Sequence, residues 1–202
     1  MQQTLLCPLR FIAVSALMAV LAAPAAVAGQ TVNGQAVVVQ ATVFDVTGSS
    51  ATTVLSDTGP LIDSNDAREK SQVAGSVPSL LSGGTLHANT IGWSDAVASE
   101  ASIADLVLTV AGTAIGAKFA MSRVQTVIGA SPAGSTDVSG LSINGVPISV
   151  TGVRNQTIAI LGGRIVVNEQ QTTSSGTVVN ALHVVVTGVA DVVIASASAG
   201  IR

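Results

Sequence analysis

Apolar and polar residues alternate along most of this chain in short runs, separated by turn-forming residues. This is the period-two signature of strands that bury one face. The pattern is densest over residues 141–201, where 177–187 and 191–198 are rich in Val, Ile and Leu and are joined by Gly188, Val189 and Ala190. Residues 35–46 predict a first strand, with Val37, Val39 and Val43 on one face and Val38, Thr42 and Phe44 on the other. Residues 51–55 predict a second. Asp57-Thr58-Gly59-Pro60 is a turn, residues 63–70 form an exposed polar loop, and residues 76–81, with Pro78, form an edge segment. Between Ile103 and Val110, the residues Ala104, Leu106, Leu108 and Val110 fall on one face and Ile103, Asp105, Val107 and Thr109 on the other. Ala111-Gly112 then turns the chain into 114–124.

Residues 129–140 are rich in Ser, Gly and Ala and contain Pro132, which predicts a loop. Asn144-Gly145 between two apolar runs is a strong hairpin signal, and Pro147 places its strand at an edge or a bulge. Gly162-Gly163 makes a further hairpin, and 171–175 a polar loop. No 3.6-residue period competes with these runs. About ten short strands at this spacing predict an all-β fold, an antiparallel β-sandwich that is jelly-roll-like or a partly closed barrel. A parallel solenoid would need a fixed repeat. The echo of Val32-Asn33-Gly34 in Ile143-Asn144-Gly145 is instead a shared hairpin type.

The first 28 residues change the picture of location. Arg10 precedes the apolar run from Phe11 to Leu21, and Ala26-Val27-Ala28 is a small-x-small cleavage site. Pro24 interrupts what a membrane-spanning helix would need, about 20 continuous apolar residues. The expectation is a signal peptide over 1–28, cleaved after Ala28, and a single secreted domain over 29–202 with no membrane span. Cys7, the one cysteine, lies ahead of the apolar run, so a lipoprotein site is absent and the secreted domain contains no disulfide.

Composition narrows the partners. The formal charge is −3 and charged residues make up 9% of the chain, well below the usual share of about 25%. Arg123, Arg154, Arg164 and Arg202 are scattered, with only Lys118 near Arg123, so nucleic acid is excluded as a partner. Beyond the leader the aromatics are Phe44, Trp93 and Phe119, too few for a stacking platform. The core must be aliphatic.

Candidate chemistry is sparse. Nucleophilic catalysis would draw on His87 or His183, and His183 reads as a strand residue on a face with Ala181, Val185 and Thr187. Paired carboxylates would be Asp95 with Glu100, or Glu169 within Asn168-Glu169-Gln170. Glu169 continues the face of Ile165 and Val167, and if buried it needs a partner such as Arg123 or Arg154. Asp63, Asn65, Asp66 and Glu69 are hard oxygen donors suited to calcium, though without the glycine turn of a helix–loop–helix site. No cofactor is predicted.

Several blocks, in order, carry a resemblance. They are Ser56-Asp57-Thr58-Gly59-Pro60-Leu61, Ser99-Glu100-Ala101-Ser102-Ile103-Ala104-Asp105-Leu106, Asn155-Gln156-Thr157-Ile158, Val167-Asn168-Glu169-Gln170, Asn180-Ala181-Leu182-His183-Val184-Val185-Val186 and Gly188-Val189-Ala190-Asp191-Val192-Val193-Ile194. Together they resemble the bacterial choice-of-anchor P family over about residues 36–201. The resemblance implies a secreted, surface-associated β domain with no defining activity, and assigns no role to Asn168, Glu169, Asn180, His183 or Asp191. Cysteines that relatives carry after the Met-Ser-Arg block and near the C-terminus are replaced here by residues 124–128 and 200–202. The anchoring tail for which the family is named has no counterpart after Arg202. The expected function is therefore a non-enzymatic cell-surface or extracellular structural module that self-associates or contacts the envelope. The alternatives are a glycan- or calcium-binding adhesion module and, behind it, a hydrolase.

Overall fold

The computed structural model describes residues 31–202; the expected signal peptide and its cleavage point lie outside them. Among the described residues there is no helix. The strands are β1 (Val32–Phe44), β2 (Ser50–Asp57), β3 (Ala67–Gln72), β4 (Gly75–Val77), β5 (Leu81–Gly83), β6 (Leu86–Gly92), β7 (Ala96–Val110) and β8 (Thr113–Val127). They continue as β9 (Ala133–Ser139), β10 (Ser142–Ile143), β11 (Val146–Pro147), β12 (Gln156–Ile160), β13 (Gly163–Thr173), β14 (Gly176–Val186) and β15 (Ala190–Ile201).

All pairings are antiparallel. One sheet has six strands in the order β12-β13-β14-β15-β1-β2. The other has nine, along β11-β10-β8-β7-β5-β4, with β6 pairing both β7 and β3, and β9 pairing β8. Both sheets are open, so the barrel alternative is replaced by two facing sheets. The fifteen strands exceed the expected ten, and two of them lie in expected loops. Polar β3 pairs with β6, and Ser/Gly-rich β9 pairs with β8. In each case the paired neighbour supplies the backbone hydrogen bonds, and this outweighs weak side-chain propensity. The two clearest turn signals hold: Ala111-Gly112 (φ 48° and 74°) and Asn144-Gly145 (φ 51° and 78°) have the positive dihedrals of tight hairpins. Pro147 does lie on an edge strand.

Strict alternation breaks once in the six-stranded sheet, along a line that crosses five strands. Leu55-Ser56, Val38-Val39, Ile194-Ala195, Ala181-Leu182 and Val167-Asn168 are each two consecutive residues turned toward the core; apart from Leu55, which is half-buried against it, all are buried. On every second strand one of the two has a left-handed backbone: Ser56 (φ 48°), Ala195 (φ 50°) and Asn168 (φ 54°). No residue is inserted. Val37 faces Ser196 and Val39 faces Ile194, so the register resumes unchanged beyond the skipped pair. The line is a crease rather than a bulge. Its effect is to reverse which side chains point outward on either side of it. A similar break at Asp105 (φ 49°) leaves Ala104-Asp105 facing outward in β7. Ile103 therefore joins Leu106, Leu108 and Val110 in the core, against the sequence expectation.

The crease divides the interior. On one side lies the main aliphatic core, which includes Leu86, Ile103, Leu106, Leu108, Ile165, Leu182 and Ile194. On the other, Val32, Leu61, Val97, Val124, Val179, Ala197 and Ala199 form a smaller cluster. There the sheets approach closely through small residues. Ser99 Oγ donates to the Ser198 carbonyl at 2.7 Å, and Thr126 Oγ1 to the Ala199 carbonyl at 3.2 Å. A Cβ on Gly34 would lie 2.6 Å from Thr90 Oγ1 and 2.8 Å from Val97 Cγ1. No aromatic residue is in the core among the described residues. At this same end Thr31 and Arg202 exchange backbone hydrogen bonds of 2.9 and 3.1 Å, extending the β1–β15 pair.

If the crease stores strain, glycine should be tolerated at Ala195 but not at Ala197, an equally buried alanine two residues along β15. Urea unfolding should show Ala197→Gly losing about 1–2 kcal/mol, from backbone entropy and one buried methyl. Ala195→Gly should lose at least about 1 kcal/mol less, because glycine adopts positive φ freely. Equal losses would mean an unstrained crease.

Candidate functional site

The crease assembles a half-buried polar cluster on the outer face of the six-stranded sheet. Because Ala181 and Leu182 both point inward, Asn180 and His183 both point outward on β14. Because Val167 and Asn168 do the same on β13, Glu169 turns outward opposite Asn180. Asp191 joins them from β15, opposite Val185. Glu169 Oε2 accepts from Asn180 Nδ2 at 2.7 Å and pairs with His183 Nδ1 at 2.9 Å, while His183 Nε2 meets Asp191 Oδ1 at 2.9 Å. The His183 and Glu169 side chains are only 18% and 14% exposed, and that of Asp191 is 45% exposed.

This arrangement revises two expectations. His183 does not share a face with Ala181, and Glu169 does not share one with Ile165 and Val167; its cation is His183, not Arg123 or Arg154. Asp191, named in the sequence only within a family block and given no role, is the third member. A readable signal existed in Asn180-Ala181-Leu182-His183, where two apolar residues separate two polar ones and break the period of two.

Two carboxylates facing the two ring nitrogens favour N–H donors at both, and so favour the protonated ring. Burial pulls the His183 pKa down, but the hydrogen bonds and charges of Glu169 and Asp191 outweigh it and raise the pKa above 6.5. Burial likewise pushes Glu169 up, and the bonds from Asn180, His183 and Gln171, with the His183 charge, bring it below 4.5. A general base needs one ring nitrogen free to take a proton. His183 has none, and its chemistry is that of a clamp joining β13, β14 and β15. Asn180 Oδ1 is buried without a partner.

His87 sits on the outer face of the other sheet. Asn89 Nδ2 lies 3.1 Å from its Nε2, Ser71 Oγ lies 2.8 Å from its Nδ1, and Ser71 Oγ donates to Glu69 Oε1 at 2.9 Å. With Asn89 donating, the protons run from Asn89 to His87 to Ser71 to Glu69. A hydrolytic triad has its acid behind the histidine and its serine in front. Here the acid is beside the serine, 3.6 Å from His87 Nδ1, and the far nitrogen faces an amide. Beside this group Glu100 pairs with Arg123 at 3.3 Å, and Asp95 lies apart in the turn before β7. Asn89, Glu100, Arg123, Gln125 and Ser135 line a shallow groove of about 310 Å³.

The four oxygen donors proposed for calcium do not converge. Asp63 Oδ1 accepts from the Asn65 amide at 2.8 Å. Asp66 Oδ2 accepts from the Ile62 amide at 2.9 Å and from Arg68 Nε at 2.8 Å. The Ile62 bond first, and then Arg68, hold its pKa below the usual carboxylate range. Glu69 lies on β3 and faces Ser71 and His87. Among the described residues no three His, Cys, Asp or Glu side chains are placed to hold a metal, and no helix is long and apolar enough to cross a membrane.

Compared with protein-family models, curated proteins and solved structures, the chain matches none.

The clamp gives a signed pH dependence. His183, raised in the folded state, contributes stability that is full below pH 6.5 and is lost as pH rises through its folded pKa. Glu169, lowered, contributes stability present above pH 4.5 and lost as pH falls through its folded pKa. The clamp's contribution is therefore largest between these two values. Thermal midpoints measured across pH should fall on both sides of that window, and His183→Gln should flatten the alkaline fall. A variant with the wild-type alkaline slope would show that His183 does not carry it.

Proposed function

We propose that the chain is a secreted, non-enzymatic bacterial module that serves a structural role at the cell surface or in the extracellular matrix, self-associating or contacting the envelope. The observation that carries this reading is the state of the two histidines. Each is built into a hydrogen-bonded network that ties neighbouring strands together, and neither leaves a nitrogen free beside a nucleophile. A rigid aliphatic sandwich with a largely uncharged polar surface suits a module whose surface is its product. The order of the sequence blocks, the leader ending at Ala28 and the family resemblance point the same way.

A second reading, ligand binding, is favoured by one feature. Glu69, Asn89, Glu100, Arg123 and Ser135 form a cross-strand row over five strands of the nine-stranded sheet, beside the shallow groove. A thermal shift on titration with oligosaccharides or calcium would support that reading over a purely structural one.

Fractionation of cells that make the native protein tests the main reading. The protein should be recovered from the medium or the envelope with Gly29 as its first residue. Recovery from the cytoplasm with the leader intact would overturn it.

A further inference from the structure

The two sheets treat their edges differently. Edge strands expose unpaired N–H and C=O groups that template pairing with another chain, and charge, proline or brevity blunts them. In the nine-stranded sheet every edge is blunted. β3 carries Arg68, Glu69 and Lys70 in its middle, β11 is two residues long and ends in Pro147, β4 is three residues long, and β9 contains Asp137.

The six-stranded sheet ends in β12 and β2, which carry no proline and, apart from Asp57 at the end of β2, no charge. β12 is uncharged, but its own chain is fastened beside it. Gln156 Nε2 donates to the Ser149 carbonyl at 2.9 Å, its Oε1 accepts from the Thr151 amide at 2.8 Å, and Ile148 and Val150 pack against the core. β2 is hydrogen-bonded to the other sheet only at its C-terminal end, where Ser56 Oγ donates to Gln72 Oε1 at 3.1 Å, and the backbone edge of residues 50–54 has no equivalent cover. Among the described residues all its backbone pairing is to β1, and its side chains bond mainly inward along the sheet, as Thr52 does to Thr42 at 2.9 Å. Residues 50–55, Ser-Ala-Thr-Thr-Val-Leu, contain no charge, no proline and no glycine, and three of the six are β-branched. That composition is the signature of a segment prone to strand pairing. Its one charge is Asp57, the last residue.

We propose that β2 pairs antiparallel with β2 of a second copy of this chain, joining two six-stranded sheets into one continuous sheet about a two-fold axis. This rests on the reading of a self-associating module and names its surface. An isologous pair is closed and stops at the dimer, whereas a head-to-tail pairing of β2 with β12 would extend without limit. Uncharged strands lie opposite one another with no like-charge repulsion. One strand pair buries far less than the roughly 800 Å² per partner of a standard interface, so the dimer dissociates on dilution.

Sedimentation velocity over a wide concentration range, with full-length protein, tests this. The wild type should shift from monomer to dimer as concentration rises. Val54→Lys, at an outward position that is 44% exposed, should remain monomeric with an unchanged thermal midpoint. In a Cys7→Ser background, Val54→Cys should give a covalent dimer with a short bis-maleimide, and Ala159→Cys on β12 should not. A wild type that stays monomeric throughout, a Val54→Lys protein that still associates, or crosslinking through Ala159→Cys would each overturn the proposal. A monomer recovered from the envelope would remove the dimer and leave the proposed location standing. A dimer confined to the cytoplasm would do the reverse.

Discussion

The outer and inner surfaces of the six-stranded sheet both depend on the crease. In an unbroken strand a residue's parity decides whether it meets the core or water. Here that assignment reverses in five neighbouring strands at once without any register slip, so no single strand carries the change alone. Ser56, Ala195 and Asn168 accept a left-handed backbone that costs an ordinary residue roughly 1–2 kcal/mol. The reversal brings Glu169, Asn180, His183 and Asp191 together on one side and seals Val38, Val39, Ile194 and Leu182 on the other.

The clamp and the crease support each other. Glu169, His183 and Asp191 bond across three strands where the backbone pairing skips a residue, and their charge-assisted bonds are of the stronger kind. Inside, the change in parity coincides with a change in filling, from a core rich in Leu and Ile on one side to a smaller cluster, mainly Val and Ala, on the other. The scarcity of aromatics follows from this spacing. Beyond the crease the sheets are close enough for Ser99 and Thr126 to bond directly to the opposite backbone, leaving no room for a ring. Phe44 and Trp93 are exposed instead.

The fold class, the antiparallel pairing, the Asn144-Gly145 hairpin and the edge position of Pro147 were readable because each rests on local periodicity or local turn chemistry. β3 and β9 were not, since their pairing partners dictate them and their own side chains say little. The cluster around His183 was hidden for a different reason. Alternation assigned His183 to the face of Ala181, and only the long-range pairing of β13, β14 and β15 shows that the assignment flips between them. The features that could have exposed it, an asparagine after Val167 and two apolar residues between Asn180 and His183, are weak when each is read alone.

The position of β1 sets the order in which the molecule can assemble. β1 lies between β15 and β2, and Ser198 Oγ donates to the Gln35 carbonyl at 3.1 Å across a separation of 163 residues. The first strand therefore waits for the last one before the six-stranded sheet can form. Contacts this distant in sequence make closure slow, because the intervening chain must lose its freedom before any of them forms. A nascent chain has no strand to pair with β1 other than β2 until β15 has been made. The nine-stranded sheet, by contrast, draws only on β3 to β11, so one half of the sandwich is specified by a contiguous middle of the chain and the other half by its two ends.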